Sequence, residues 1–262
     1  MSELFRDPAL PCVEARRACR TRACYLPHSH PSVSIGVVDA GASVFSSGGR
    51  RVALAPGALV MVPADCVHAC NPLPGGAWSY QMLHLQADWF AAELAACGAP
   101  LPMVAMLNQA PQAYAAFCAL NACLFSAASV ADKTAALRDF VASGLWRGAP
   151  LPARAWPTAG NRLERVRRLL LDDPANAASL AELAALAGMS RHHFLRAFRA
   201  ETGLTPHAFR LDARINRARA LLRRGAALAE LAQALGFADQ AHFQRAFKAR
   251  VALTPGRYRG RR

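Results

Sequence analysis

Between Pro27 and about Leu85 the hydrophobic positions fall in short runs, SVSIGVVD, ASVFSS, RRVAL, ALVMVP, CVHAC and WSYQMLHLQ. Turn residues separate them at Gly41, Gly48 and Gly49, Pro56 and Gly57, Pro63 to Asp65, and Pro72 to Gly76. Runs rich in β-branched and aromatic residues with this punctuation predict the strands of a small antiparallel barrel or sandwich. Beyond Asp88, the expected N-cap, the pattern becomes helical through WFAAELAAC, AYAAFCALNACLF and ADKTAALRDFVASGLW. These helices have apolar faces that suit packing on the barrel or on a second copy of the chain. The stretch from Gly148 to Gly160 contains three prolines and reads as a linker, and everything after it is expected to be helical. The expected class is therefore α+β in two domains, divided as 1–147, a linker 148–160, and 161–262.

The second half contains an internal repeat. Phe194 pairs with Phe243, Phe198 with Phe247, and Thr205-Pro206 with Thr254-Pro255, each 49 residues apart. Earlier in each unit the offset is 48, which pairs Leu183 with Leu231 and Gly188 with Gly236, so one residue is added in the second turn. Each unit reads as helix, glycine-containing turn, helix, the helix-turn-helix plan. Ser179 and Glu182 have capping-box spacing, Gly188 suits the turn, and Ser190 and Asp239 are placed to cap the second helices. Phe194, Ala197 and Phe198 form an inward stripe, which leaves His192, Arg196 and Arg199 outward. The outward equivalents in the second unit are Ala241, Arg245 and Lys248, flanked by Gln240 and His242. Arginine and glutamine at the start of such a helix are the side chains that read guanine and adenine edges in the major groove. Between the units HAFRLDARINRARALLRR predicts a helix of about 27 Å, long enough to hold two reading helices about one DNA turn apart. Its Arg210, Arg214, Arg217, Arg219, Arg223 and Arg224 suit phosphate contacts or simply a solvated face.

Charge sharpens this picture. The chain has 262 residues, 53% of them hydrophobic, and a formal charge of +14. From Gly160 onward there are 20 Lys and Arg against 8 Asp and Glu, while the first 159 residues are nearly balanced. A concentrated basic block faces a polyanion, either nucleic acid or an acidic membrane surface. Lys133 and Lys248 are the sole lysines, so the charge is almost all arginine, suited to bidentate phosphate and guanine contacts. A genome rich in GC codons produces the same bias. No apolar run approaches the length that crosses a bilayer, and the N-terminus lacks the apolar core of a signal peptide, so a cytoplasmic protein without a membrane role is expected. All eight cysteines lie in the first half without a CxxC pair, and the simplest reading is small buried hydrophobes.

The segments GMSRHHFLRAFRAETGLTPHAFR and GFADQAHFQRAFKARVALTPGRYR resemble the DNA-binding domain of the AraC/XylS family over about Arg162 to Arg259. The resemblance implies a transcription regulator, commonly an activator, reading promoter DNA through His192, Leu195 and Arg196 in the first unit and Gln240, Ala241, His242 and Arg245 in the second. Ala252 departs from the pattern, since the family usually has glycine there, as at Gly203. A left-handed helix end would be strained at alanine, which raises a different ending for the second unit.

The N-terminal half resembles the cupin-like effector domain of that family through His28, His30, Ile35-Gly36, Gly41, Phe45, Pro56-Gly57, Val62-Pro63, His68 and Trp78 to Met82. The implied effector pocket would be lined by His28, His30, Ile35, Phe45, His68, Trp78 and Tyr80 and suits a small organic ligand. Enzymatic cupins bind metal at a His-x-His pair plus a later histidine. His28, His30 and His68 fit that layout, but Pro31, Ser32, Val33 and Ser34 stand where the usual carboxylate follows. His84 is a further neighbour. Cys66, His68 and Cys70 alternate on one probable strand face and offer ligands to a soft metal. The leading expectation is an effector-controlled DNA-binding regulator with no enzymatic activity and no cofactor, acting as a homodimer through the helices between Asp88 and Trp146 and working with RNA polymerase at the nucleoid. The competing one is a metal-binding cupin, either a metal or redox sensor or a metal-dependent enzyme, with a DNA-binding appendage.

Overall fold

The computed structural model describes residues 2–151 and 161–260. Contacts divide the chain into two compact units, one of Met1–Ala23 and Ser29–Ala153 and the other of Cys24–His28 and Arg154–Arg262. The first unit runs through β1 (Ser2–Phe5), β2 (Val13–Thr21), β3 (Ser32–Ala40), β4 (Ser43–Ser47), β5 (Arg50–Leu54), β6 (Leu59–Val62), β7 (His68–Pro72) and β8 (Trp78–Gln86). It continues with α1 (Ala87–Ala96), β9 (Ala105–Asn108), α2 (Pro111–Leu124), α3 (Val130–Ser143) and β10 (Ala149–Leu151). The strands form two antiparallel sheets, a seven-stranded one in the order β1-β2-β8-β3-β6-β9-β10 and a three-stranded one in the order β5-β4-β7.

The large sheet has two unlike faces. Successive strand side chains point to opposite sides, so Val33, Ile35 and Val37 share a face with Leu83 and Leu85 on β8 and with Met61 and Leu59 on β6, their register partners. This face joins one apolar cluster with Phe90 and Leu94 of α1, Phe117 and Leu120 of α2, Leu137 and Phe140 of α3, and Trp146. The helices therefore pack on the sheet, one of the two arrangements their apolar faces allow. α3 starts at a capping box between Ser129 and Asp132 and ends at Gly144 in the left-handed region, and the buried Trp146 indole donates to the Val141 carbonyl at 3.0 Å. The opposite sheet face carries Glu14, Ser34, Tyr80 and His84, and its rings meet those of the small sheet.

Several expectations need correction. β1, β2, β9 and β10 lie outside the span read as strands. α1 opens after Gln86, with Asp88 in its first turn rather than at the cap. The expected linker begins with strand residues, since Ala149–Leu151 pair with β9, and its remaining residues, 152–160, lie outside the described residues.

The second unit is helical: α4 (Asn161–Asp172), α5 (Leu180–Leu186), α6 (Arg191–Thr202), α7 (Pro206–Arg223), α8 (Leu228–Ala234), α9 (Gln240–Val251) and α10 (Pro255–Arg259). α5 with α6, and α8 with α9, are the two repeats. Gly188 and Gly236 occupy the equivalent turns at φ of 61° and 72°, a region that favours glycine. Phe194 and Phe198 are fully buried in the first repeat, and Phe198 meets Phe209 of α7 edge to face. In the second, Phe243 and Phe247 join Ile215, Ala218 and Leu222 of α7. The long helix α7 thus supplies core to both repeats. Between it and α9 the buried Asp212 and Arg250 stand 3.7 Å apart. The helices α6 and α9 end alike, at Gly203 and at Ala252, and Ala252 takes the left-handed conformation at φ 56°. The different ending raised for the second repeat does not occur.

Candidate functional site

The candidate DNA-binding surface is built outward from the phenylalanines. The Ser190 hydroxyl accepts from the His193 backbone at 3.3 Å and starts α6, while burial of Phe194 and Phe198 turns His192, Arg196 and Arg199 to the exposed side. Leu195 is half-buried at the flank. Asp239 caps α9 by accepting from the His242 backbone at 2.6 Å, and Phe243 with Phe247 turns Gln240, Ala241, Arg245 and Lys248 outward. Gln244 is also exposed and was not among the candidates; its spacing of four from Gln240 is the signal that marks it. His242 is half-buried, with its ring edge-on to Phe237 at 5.3 Å, so part of its work is to pack the turn.

The arginines of α7 divide into two groups. Arg210 donates to the Asn176 and Ala178 carbonyls at 2.7 and 3.0 Å. Arg214 donates to Pro174 at 2.6 Å and to Gly236 at 2.5 Å, tying the chain before α5 to the turn of the second repeat. Arg219 and Arg223 both donate to the Tyr258 hydroxyl, at 3.3 and 3.1 Å. These four brace the fold, and Arg217 and Arg224 remain exposed along the helix.

In the first unit the structure gathers histidines. His30 is 1% exposed, and its ring centroid lies 5.0 Å from those of both His68 and His84. His28 belongs to the other unit, with its Nδ1 2.8 Å from the Leu26 carbonyl. The Ser34 hydroxyl stands 3.1 Å from His30 Nε2 and 2.7 Å from His84 Nδ1, so serine hydroxyls occupy the neighbourhood where the family pattern has a carboxylate. Phe45 is buried and stacks on His68 at 6.2 Å. Trp78 and Tyr80 stack at 4.3 Å, six and four residues before His84 along β8, and the buried Trp78 indole N–H is without a hydrogen-bond partner among the described residues.

Two of the expected placements fail. Ile35 points to the opposite sheet face, into the core beneath the helices, and lines nothing with these rings. Cys66 precedes β7, and its thiol faces Ser47 at 3.4 Å while that of Cys70 faces Ser43 at 3.6 Å. Burial pushes both thiols up, Cys70 to about 11, so neither is a thiolate at neutral pH and neither joins the histidine group among the described residues. A separate cleft of about 220 Å³ between Ala55–Ala58, Gln109, Pro111 and Tyr114 touches none of the expected effector residues.

Comparison with known proteins places this geometry. Residues 183–261 match the profile of a helix-turn-helix domain, and residues 10–149 match that of the AraC-like ligand binding domain. The curated protein described as the uncharacterized HTH-type transcriptional regulator YbfI of Bacillus subtilis is 33% identical over 85 residues, 32% of this chain and 31% of that one; the match spans about a third of that relative's length. Among solved structures, an apo variant of ToxT from Vibrio cholerae superposes with a TM-score of 0.61 at 11% identity, covering 95% of this chain and 97% of the other. Unsaturated fatty acid bound ToxT superposes at 0.56 and 13% identity, covering 99% and 94%. Both halves of the chain thus carry the parts of one architecture, and the protein belongs to the AraC family of transcription regulators.

Proposed function

We propose that this protein is a sequence-specific regulator that reads promoter DNA with α6 and α9, while a small effector held by residues 1–151 biases that binding. The observation that carries the reading is the pairing of two capped helices, each turned by buried phenylalanines so that one stripe faces out, His192, Arg196 and Arg199 on α6 and Ala241, Arg245 and Lys248 on α9. Leu195, Gln240 and His242 flank these stripes, and Arg217 and Arg224 add phosphate contacts that position the protein without specifying sequence.

The effector acts by binding two arrangements of the protein with different affinity. The polar sheet face around His30, Phe45, His68, Trp78 and Tyr80 is its site, and the unpartnered Trp78 N–H supplies a donor for a ligand oxygen. That a ToxT structure is bound to an unsaturated fatty acid supports a small organic ligand for this fold. The protein acts in the cytoplasm on the nucleoid, as a homodimer through α1 to α3, together with RNA polymerase. It is not an enzyme: the Ser34 hydroxyl lies between His30 and His84, and Glu14, the acid paired in register with His84, is engaged by Arg6 at 2.7 Å. No helix among the described residues is long and apolar enough to cross a membrane.

Hydroxyl-radical footprinting on a selected operator tests the reading. Each chain is expected to protect two adjacent stretches on one face of the duplex, about one turn or 34 Å apart. A single protected stretch per chain would mean that one repeat does not read DNA.

A further inference from the structure

On the helix-covered side of the large sheet a second polar group stands apart from the histidines. Asp39, near the end of β3, accepts at Oδ1 from the Tyr114 hydroxyl at 3.0 Å and from the Gln81 side-chain amide at 2.8 Å. The same amide reaches the Cys118 thiol at 3.5 Å, so α2 and β8 together orient the carboxylate. A carboxylate has about four acceptor positions. Both donors here use one oxygen, and Oδ2 is left without a partner among the described residues. No cation pairs with Asp39 among those residues either. Burial, with Cys118 and Asp39 as further causes, pushes the Tyr114 phenol up, so it stays a protonated donor toward Asp39 at neutral pH.

Tyr114 also lines the cleft of about 220 Å³, with Ala55 to Ala58, Gln109 and Pro111. Asp39 adjoins its wall, because the preceding residue, Val38, exchanges backbone hydrogen bonds with Gly57 and Ala58 at 2.8 and 3.0 Å. Gly57 stands at φ 88° with open space where a β-carbon would project, so the cleft is unobstructed there. We propose that this cleft binds a small organic cation, a primary ammonium on a short apolar stem, with the charge at Asp39 Oδ2 and the stem against Pro56, Pro111 and Tyr114. The site lies wholly within the first unit. It is separate from the effector site around His30, goes beyond the regulatory reading and does not depend on it.

The walls select the sign of the charge. None of the lining residues is a lysine, arginine or histidine, so nothing there competes with the ligand for the carboxylate. An ammonium on a carboxylate makes a charge-assisted hydrogen bond, and the Tyr114 ring adds attraction for a cation. The start of α2 offers little to an anion instead. Pro111 has no N–H, the Ala110 N–H donates to Asn108 Oδ1 at 2.8 Å, and the Ala113 and Tyr114 amides turn to the Ala110 carbonyl at 3.0 and 3.4 Å. The cleft is smaller than the roughly 300–1,000 Å³ that holds a drug-sized ligand, which limits the stem to a few carbons.

The test is titration of the full-length protein with n-butylammonium, n-butanol and butyrate, read by the amide NMR shifts of Gly57, Ala58 and Tyr114. The expected result is saturable shifts at these amides with butylammonium, and binding at least about 10-fold weaker for the alcohol and the carboxylate, which lack the cation. Asp39→Asn keeps an acceptor for Tyr114 and Gln81 but removes the charge. It should weaken butylammonium by about 10-fold or more, in the range of a hydrogen bond to a charged group, while Asp139→Asn, at an exposed acid of α3, binds as wild type does. An equal response to butanol, a preference for butyrate, shifts that do not saturate, or unchanged binding in Asp39→Asn would overturn the proposal. The selectivity of the wild type among the three probes decides the matter even where Asp39→Asn fails to fold.

Discussion

Arginines of the second unit do different work according to what their guanidinium groups reach. Arg196 and Arg245 sit at equivalent outward positions of α6 and α9, opposite the buried phenylalanines. Replacing either with alanine is expected to cost about 1–3 kcal/mol on the cognate operator and relax the base preference at one position, as for a lost bidentate contact. A binding isotherm on cognate and single-substituted operators checks this; equal loss on every sequence would reduce these residues to phosphate contacts. Arg214→Ala should behave differently, because it strips the Pro174 and Gly236 carbonyls of their donor. It is expected to lower thermal stability by about 1–3 kcal/mol, with operator preference retained in the folded fraction. The sequence showed an arginine run along one helix but could not sort it. The carbonyls that engage Arg210 and Arg214 belong to turns 22 to 40 residues away, and no local period encodes such partners.

At the scale of elements, the two repeats differ in how their helices begin and end. α5 has a complete capping box, with Ser179 accepting from the Glu182 backbone and Glu182 accepting from that of Ser179. α8 keeps the acid, Glu230, at the matching position but begins at Ala227, which has no side-chain cap. Ala227→Ser completes the box and is expected to stabilise the second repeat by about 1 kcal/mol. Ala252→Gly relieves a left-handed alanine at φ 56° and is expected to add about 1 kcal/mol. Chemical denaturation of each variant checks both; no gain from either would mean that the second repeat is already relieved elsewhere. The caps Ser179, Ser190 and Asp239 were legible because capping is local. The strands were legible only in part. β3 is buried on both faces from Ser32 to Val38, and Ile35 was assigned to the wrong one, although Ser32 and Ser34 alternate with Val33, Ile35 and Val37 and mark the face away from the helices. β2 was missed because its charged residues, Glu14, Arg16 and Arg17, break the apolar run that marks a strand.

At the scale of the whole molecule, the basic block and the internal repeat agree with each other, and this is why the two helix-turn-helix units of the second half were legible in the sequence. The first half depends on register between distant strands, which fixes Ser34 opposite His84 and brings His68 to His30. The sequence supplied the residue types without their meeting. The central claim, that α6 and α9 read sequence rather than merely attract a polyanion, is tested most directly by selecting bound fragments from random duplex DNA at two salt concentrations. Full-length wild type and Arg196→Ala are compared side by side. The expected result is a defined motif spanning two neighbouring major grooves, retained at the higher salt and degraded at one position by the substitution. Recovery of sequence-blind fragments whose binding collapses with salt, unchanged by Arg196→Ala, would contradict it and leave the basic half as an electrostatic tether.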